Sequence, residues 1–386
     1  MDQRRGRYIE STTAGERVRA FVPPPLPPDP PVRLENLWGL LEQGERWLGR
    51  LDGVTMHMPD PTLLLSMYVR KEALLSSQIE GTQSSLSELL LYENEQAPGL
   101  LTEDVLDVSN YVAAMHHGLK RVRADGFPLS LRLIREIHEI LLKSGRGADK
   151  QPGEFRRSQN WVGGTRPGNA LFVPPPASEV MTLLGDLETF LHQPPGRMPT
   201  LVKAGLAHVQ FETIHPFPDG NGRLGRLLIT FLLCAEGVLR QPLLYLSLYF
   251  KANRQAYYDL LQRVREAGDW EGWLDFFLQG VRDTAKEATE TACQILDLFK
   301  EDETKIARLG RAASSGLRLH QHLQTRPLVT IPAAARKLGL SQPTVTKALA
   351  QLQELGIVRE ATGRLRWRAF VYYRYLDILA KGTEQV

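Results

Sequence analysis

The chain of 386 residues contains only two cysteines, Cys234 and Cys293. Two thiols cannot form a framework of bridges, which excludes a disulfide scaffold and points to a reducing compartment with buried free thiols. Nor does any stretch approach the ~18 consecutive apolar residues of a membrane-spanning helix. The richest run, residues 224–239, carries Arg226 and Glu236. No apolar segment follows the opening MDQRRGRYIE, so no secretory signal is read, and a cytoplasmic protein without membrane contact is expected. The pattern GxxxxGK(S/T) is missing, which argues against a P-loop NTPase. HExxH and paired CxxC are missing too, which argues against zinc. The net charge is small, at +3, and by itself speaks neither for nor against nucleic acid. Its distribution is uneven: residues 327–386 hold nine Lys/Arg against four Asp/Glu, a local surplus of +5.

Hydrophobic residues make up 42% and charged residues 24%. That excludes wholesale disorder, and about two or three globular domains fit the length. Residues 22–31 read VPPPLPPDPP. Proline at this density forbids a helix and favours an extended segment. It is read as a strap across the protein's own surface rather than a ligand for an aromatic-lined groove. Apolar residues then recur at helical spacing through Leu34, Leu37, Leu40, Leu41, Trp47 and Leu48, and again from Leu64 through Met67, Tyr68, Lys71, Leu74 and Leu75. The second of these helices starts at Asp60-Pro61 and is ended by Gly81. Further helices are expected over 84–93, 103–125, 130–143, 178–192, 200–213, 222–237, 250–267 and 270–299. Residues 152–164 and 170–176, with Phe155, Trp161 and Phe172 spaced by glycines, suit two short strands turning at 166–168. From about Ser314 the text changes. Helices over 330–338 and 342–355 flank Gly339-Leu340-Ser341, and strands follow through Val358 and RLRWRAFVYY, with a tip at Thr362-Gly363. That is the order of a winged helix-turn-helix. The fold class is mainly α, with one small β-hairpin and a winged-helix tail.

The chemistry concentrates in residues 215–226, HPFPDGNGRLGR. Two prolines and Gly220 stop the preceding helix, and a new helix starts beyond Gly222. Gly-Asn-Gly permits positive φ and close backbone approach. Backbone N–H groups at a helix N-terminus make a ready anion site. Arg223 and Arg226 lie three apart, so both can lean toward one anion. Asp219 is a hard oxygen ligand suited to Mg²⁺. His215 can take a proton near neutral pH. Together these residues describe phosphate-ester chemistry.

The same segment resembles the signature of Fic-domain proteins, H-x-F-x-(D/E)-G-N-G-R-x-x-R, with every fixed position filled. The likeness extends to PGEFR, NWVGG and FVPPP upstream and to the tail, so it covers essentially the whole chain. The resemblance implies a Fic-type helical bundle and an adenylyltransferase (AMPylator) that moves AMP from ATP to a Tyr, Thr or Ser hydroxyl of a protein, releasing pyrophosphate. It implies His215 as the base and Asp219 as the Mg²⁺ ligand. Gly220, Asn221 and Gly222 would cradle the α-phosphate, and Arg223 and Arg226 would hold the outer phosphates. Phe217 would anchor the loop, and His208 is read as structural. The hairpin at 155–173 resembles the family's flap, which aligns an extended target segment by strand addition. Tyr257 and Tyr258 are candidates for the adenine-pocket wall.

Residues 76–81, SSQIEG, resemble the family's inhibitory motif (S/T)-x-x-x-E-(G/N), here Ser76, Glu80 and Gly81. The resemblance implies that Glu80 pairs with Arg226 and withholds it from the γ-phosphate. In some relatives the same glutamate orients a water that removes AMP. The expected organisation is an N-terminal segment over 1–100 with strap and inhibitory helix, a Fic core over 101–300 and a winged helix-turn-helix over 314–386. Relatives often dimerise, so a homodimer joins ATP and the target protein among expected partners. Self-AMPylation is the expected first sign of activity. Gln342, Thr344, Thr346 and Lys347 on the second tail helix, with Arg364, Arg366 and Arg368 alternating along the wing, suit DNA; a protein-docking or dimerisation module is the alternative. Two rival functions are carried alongside: transfer of another group such as UMP or phosphocholine, and a DNA-binding regulator whose Fic core senses nucleotide.

Overall fold

The computed structural model describes residues 4–56, 62–93, 102–194, 198–361 and 368–384. The chain opens with an antiparallel hairpin, β1 (Arg7–Thr13) and β2 (Glu16–Val22), in which Arg7 faces Val22 and Thr13 faces Glu16. The sequence patterns above do not include it, because β1, RYIESTT, is mostly polar and the apolar end of β2 runs straight into the prolines. The proline segment then lies on the protein's own surface. Gln210 Nε2 donates to the Pro24 carbonyl at 2.9 Å, and Arg4 Nε donates to the Pro30 carbonyl at 2.7 Å.

The helical body follows: α1 (Trp38–Met56), α2 (Thr62–Ile79), α3 (Leu86–Glu93), α4 (Glu103–Leu119), α5 (Leu131–Leu141), α6 (Ala177–Leu191), α7 (Thr200–Ile214), α8 (Asn221–Ala235), α9 (Ser247–Ala252), α10 (Arg254–Ala267) and α11 (Trp270–Ala307). Residues 60–61, read as the start of α2, lie outside the described residues. The helix read over 103–125 ends in a π-helical turn at Lys120–Ala124, and the one read over 250–267 is broken at Asn253. Helices α7 and α8 pack together at the centre. Every residue of α7 from Leu201 to Ile214 is buried, as expected for a helix with neighbours on all sides. Ser130 caps α5 by accepting from Leu133 N at 3.4 Å. That helix buries Leu133, Ile134, Ile137 and Leu141 on one face, with His138 among them.

The expected flap is narrower than two strands. It is a loop closed by one antiparallel bridge, Val162 with Phe172, and a 3₁₀ turn at Pro167–Asn169. Its glycines and prolines leave too few consecutive donors for a longer ladder.

The long α11 runs eight residues past its expected end and leads into α12 (Ala313–Thr325), β3 (Leu328–Thr330), α13 (Ile331–Leu338), α14 (Gln342–Glu354), β4 (Arg359–Glu360), β5 (Ala369–Val371) and α15 (Tyr373–Ala380). The three strands form one antiparallel sheet in the order β3-β5-β4. Thr330 and Ser341 cap α13 and α14 through Ala333 N and Thr344 N, as short hydroxyl side chains do at helix starts. Both α12 and α15 pack on α11 and α2. One hydrophobic core therefore continues from the body into the tail. At that junction the fully buried Asp302 accepts from Tyr372 Oη at 2.7 Å. Among the described residues no helix is long and apolar enough to cross a membrane.

Candidate active site

His215 stands at the end of α7 in the left-handed region, φ 49° and ψ 59°. A non-glycine residue held there is strained and persists only when its surroundings enforce it. The base of the flap does so. Arg156 Nε donates to the His215 carbonyl at 2.9 Å, Arg156 N donates to the Pro216 carbonyl at 2.9 Å, and Asn160 Nδ2 donates to the Phe217 carbonyl at 3.1 Å. Arg156 is buried, and burial lowers its pKa to about 10. Phe217 is fully buried, as the resemblance implied, and stacks on His138 with ring centroids 3.7 Å apart. His138 Nδ1 accepts from Gly153 N at 2.8 Å, so its Nε2 carries the proton and donates to the Asp219 carbonyl at 3.0 Å. Reasoning from sequence assigned no role to His138 or Asn160. A lone histidine within the apolar stripe of α5 was the only signal, and it is the signal of any core residue.

Gly220 opens α8 with φ +77°, a conformation glycine adopts without steric cost. Asn221 departs from the expected placement. Its Oδ1 accepts from Phe217 N at 2.9 Å and its Nδ2 donates to the Phe217 carbonyl at 2.8 Å. Both amide atoms thus close the loop on itself, with one Nδ2 hydrogen still unspent, and backbone N–H groups at the start of α8 can meet an anion beside it. Asp219, half-exposed, accepts from Gly220 N at 2.5 Å.

His215, Asp219, Arg223, Glu80, Asp107 and Arg146 face one cavity of about 230 Å³. Burial above all, then Arg265 and Arg156, holds the His215 pKa down at about 4. The imidazole is therefore neutral at physiological pH. Arg223 is buried, and its Nε and Nη1 have no hydrogen-bond partner among the described residues.

The two arginines of the segment do not lean the same way in this state. Arg226 turns from the cavity to α2. Its Nε donates to Ser76 Oγ at 2.8 Å, and its Nη2 donates to the Ser76 carbonyl at 2.9 Å and to Glu80 Oε1 at 2.7 Å. Burial would raise the Glu80 pKa, but the charge and hydrogen bond of Arg226, with the Arg223 charge, together outweigh it and hold the carboxyl below its ordinary range. Gly81 ends the helix with φ +93°. A Cβ at Gly222 would collide with Glu80 Oε1, so that glycine is what admits the carboxylate.

Tyr257 is not a pocket wall here. It is 1% exposed, and it packs against Phe250 with ring centroids 4.7 Å apart. Tyr258 stays half-buried beneath the Arg254 guanidinium, 5.2 Å from the ring centroid. His208 is fully buried, in keeping with a structural role. Its Nδ1 donates to the Gly225 carbonyl at 3.0 Å, so its Nε2 accepts from Tyr257 Oη at 2.8 Å.

A helical bundle whose central helix pair is joined by a strained, glycine-rich anion loop defines the class of protein. Comparison with known families agrees. The Fic/DOC family N-terminal model matches residues 38–120, the Fic/DOC family model matches 128–233, and a winged helix-turn-helix DNA-binding model matches 315–359. The chain thus carries a Fic/DOC family N-terminal domain, a Fic/DOC family domain and a winged helix-turn-helix domain. Among curated proteins it resembles the protein adenylyltransferase Fic of Aedes aegypti, 33% identical over 202 residues, covering 51% of this chain and 37% of that protein. The protein of the same name from Culex quinquefasciatus is 31% identical over the same length. The match thus spans little more than a third of these relatives. The fold is shared with a Fic family protein from Desulfovibrio desulfuricans G20, with TM-score 0.57 and 21% identity over 89% of this chain and 97% of that one. It is also shared with a Fic domain containing signaling protein from Bacteroides thetaiotaomicron VPI-5482, with TM-score 0.52 and 18% identity over 65% of this chain and 97% of that one.

The buried His208 makes stability depend on pH. Burial, with a smaller contribution from Arg226, lowers its pKa to about 3. Above the ordinary value near 6.5 both folded and unfolded chains are neutral at this residue. As the pH falls from about 6.5 toward 3, the unfolded chain takes up the proton and the folded chain does not. Folding then loses about 1.4 kcal/mol per pH unit from this group. Urea unfolding of the parent and of His208→Gln at pH 7, 6, 5 and 4 checks this. The variant is less stable at pH 7, and the gap narrows at each lower pH; a constant gap contradicts the assignment.

Proposed function

We propose that the protein is a Mg²⁺-dependent protein adenylyltransferase held in check by its own α2. The observation that carries the reading is the convergence of three features on one cavity: neutral His215, the N-terminus of α8, and buried Arg223 with unpaired N–H groups. The name shared by the curated relatives supports AMP as the group transferred.

In this reading His215 accepts the proton of a target hydroxyl. The hydroxyl oxygen attacks the α-phosphorus of ATP, the bond to the β-phosphate oxygen breaks, and pyrophosphate leaves. Backbone N–H groups of Gly220–Gly222 meet charge that develops on the α-phosphate. Arg223, and Arg226 once released, hold the outer phosphates. Asp219 is the proposed Mg²⁺ ligand. One half-exposed carboxylate beside a phosphate site fits a cation bound together with ATP, since Mg²⁺ is commonly held by one or two carboxylates and substrate phosphates. When bound, it would neutralise charge on the phosphates. The flap would align the target: Leu171 beside the Val162–Phe172 bridge is 81% exposed and offers an apolar contact.

Autoinhibition follows from the Glu80 contact. Arg–carboxylate and Arg–phosphate pairing use the same N–H groups, so Glu80 and a γ-phosphate exclude each other. For the tail, weak DNA contact through α14 is proposed, supported by exposed Gln342, Thr346 and Lys347 and half-buried Thr344. Of the wing arginines, 364 and 366 lie outside the described residues. Arg368 is paired with Glu360 at 2.8 Å, which removes its charge from the expected stripe.

His215→Ala should bind ATP but lose AMP transfer, by about 10²–10⁴-fold; labelled ATP and a binding isotherm measure the two separately. Glu80→Gly should raise self-labelling, whereas Arg226→Ala should abolish it because the phosphate ligand goes with the brake's partner. Equal labelling of Glu80→Gly and parent, with melting curves unchanged, defeats the autoinhibition reading. The full chain titrated into labelled duplex should bind at low salt and release steeply as salt rises; absence of binding at low salt favours the protein-docking alternative.

A further inference from the structure

Arg223 is a buried guanidinium that faces the cavity, and such a charge needs counter-charges to hold it there. Among the described residues two carboxylates lie within 4 Å, and Glu80, in the same cavity, attracts Arg223 from further off. Asp219 Oδ1 is 3.8 Å from Nη2, on the loop and half-exposed, and Asp107 Oδ2 is 3.6 Å from Nη1, on α4 and buried. Neither is at hydrogen-bond distance. Arg223 is therefore balanced by charge from two sides while its Nε and Nη1 hydrogens stay unspent. In a buried setting such charge–charge attraction is much stronger than in water.

Asp107 is itself held. Its Oδ1 accepts from Arg146 N at 3.1 Å, and its Oδ2 lies 3.3 Å from Arg146 Nε. The turn that delivers Arg146 is shaped around this carboxylate: Gly145 has φ +78°, and a Cβ there would come 2.6 Å from Asp107 Oδ1. Arg146 is fastened in turn to Asp104 and to Thr82 Oγ1, the latter at 3.3 Å. The Asp107 carboxylate cannot follow Arg223 if Arg223 moves.

We propose that Asp107 is a positioning residue for nucleotide binding, holding Arg223 back from Asp219 so that the guanidinium stays open to phosphate. Without the Asp107 charge, Asp219 is the remaining carboxylate beside Arg223. The guanidinium then closes onto it and covers the place where phosphate would bind. Asp107 does not touch the nucleotide; it acts through Arg223, and Arg146 acts one step further back. This deepens the proposed function and rests on Arg223 binding a phosphate.

The test is a double-mutant cycle read by calorimetric ATP binding, in the presence of Mg²⁺, to the full chain carrying His215→Ala to prevent turnover. Asp107→Asn keeps the shape and removes the charge. It should weaken ATP binding about tenfold. In the Arg223→Gln background the same change should cost nothing further, because the group it positions is gone. Equal weakening in both backgrounds overturns the proposal, as does unchanged affinity with an intact melting curve. Should Asp107→Asn fail to fold, Arg146→Met leaves both charges in place and loosens their anchor. It should weaken binding by less than tenfold, again only where Arg223 is present, and an equal loss in both backgrounds overturns the proposal. If the His215→Ala parent shows no ATP binding while folded, the phosphate-site reading itself fails, and the positioning role with it.

Discussion

A buried guanidinium needs a counter-charge, and the body is arranged around the one at Arg226. It sits on the second turn of α8, between the helix pair at the centre and α2 above it. Ser76 and Glu80 are four residues apart on one face of α2, and both reach it, at 2.8 Å and 2.7 Å. Desolvation of such a pair can cancel most of its attraction, so the contact is weak evidence for stability. The pairing does, however, spend Arg226 N–H groups on Glu80 and Ser76 that would otherwise be free for an anion. Gly81 lets α2 stop in time to present Glu80, and Gly222 leaves the space it enters.

The loop beside it carries strain that other elements hold in place. His215 stays in its left-handed conformation because Arg156 and Asn160 occupy the carbonyls that follow α7. His138 holds the Asp219 carbonyl and Gly153 together from the α5 side. The glycine-rich loop and the flap base are thereby one hydrogen-bonded unit. Preorganised donors of this kind need not be rearranged when charge develops on a substrate.

The tail is built into this arrangement rather than hung from it. Asp302 on α11 anchors Tyr372, His320 Nε2 meets the same hydroxyl at 3.2 Å, and Lys305 and Arg374 surround the carboxylate. Near the end of the chain, the Thr383 carbonyl accepts from Gln78 Nε2 at 3.0 Å, within the same turn of α2 that carries Glu80. The winged helix and α2 share a core, so one can be disturbed through the other.

Local rules sufficed for much of this. Periodicity placed the helices, prolines and Gly220 ended α7 and opened α8, and twelve consecutive residues carried the anion loop with its base and arginines. Such features depend on neighbours in sequence, where spacing is geometry. What lay beyond local rules were partners distant in sequence. The β1–β2 hairpin lacks a long apolar run to announce it, and the flap's one bridge depends on what packs beneath it. The sequence cannot display Phe217 folding back on Asn221, a contact that joins the ends of the loop. Tyr257 was read as a pocket wall because an aromatic on an amphipathic helix looks the same from either side, and only packing against Phe250 and His208 placed it in the core. Asp107 and His138 looked like ordinary members of α4 and α5. Their partners, Arg223 and Asp219, are more than 80 residues away, and only folding brings these groups close enough to act on one another.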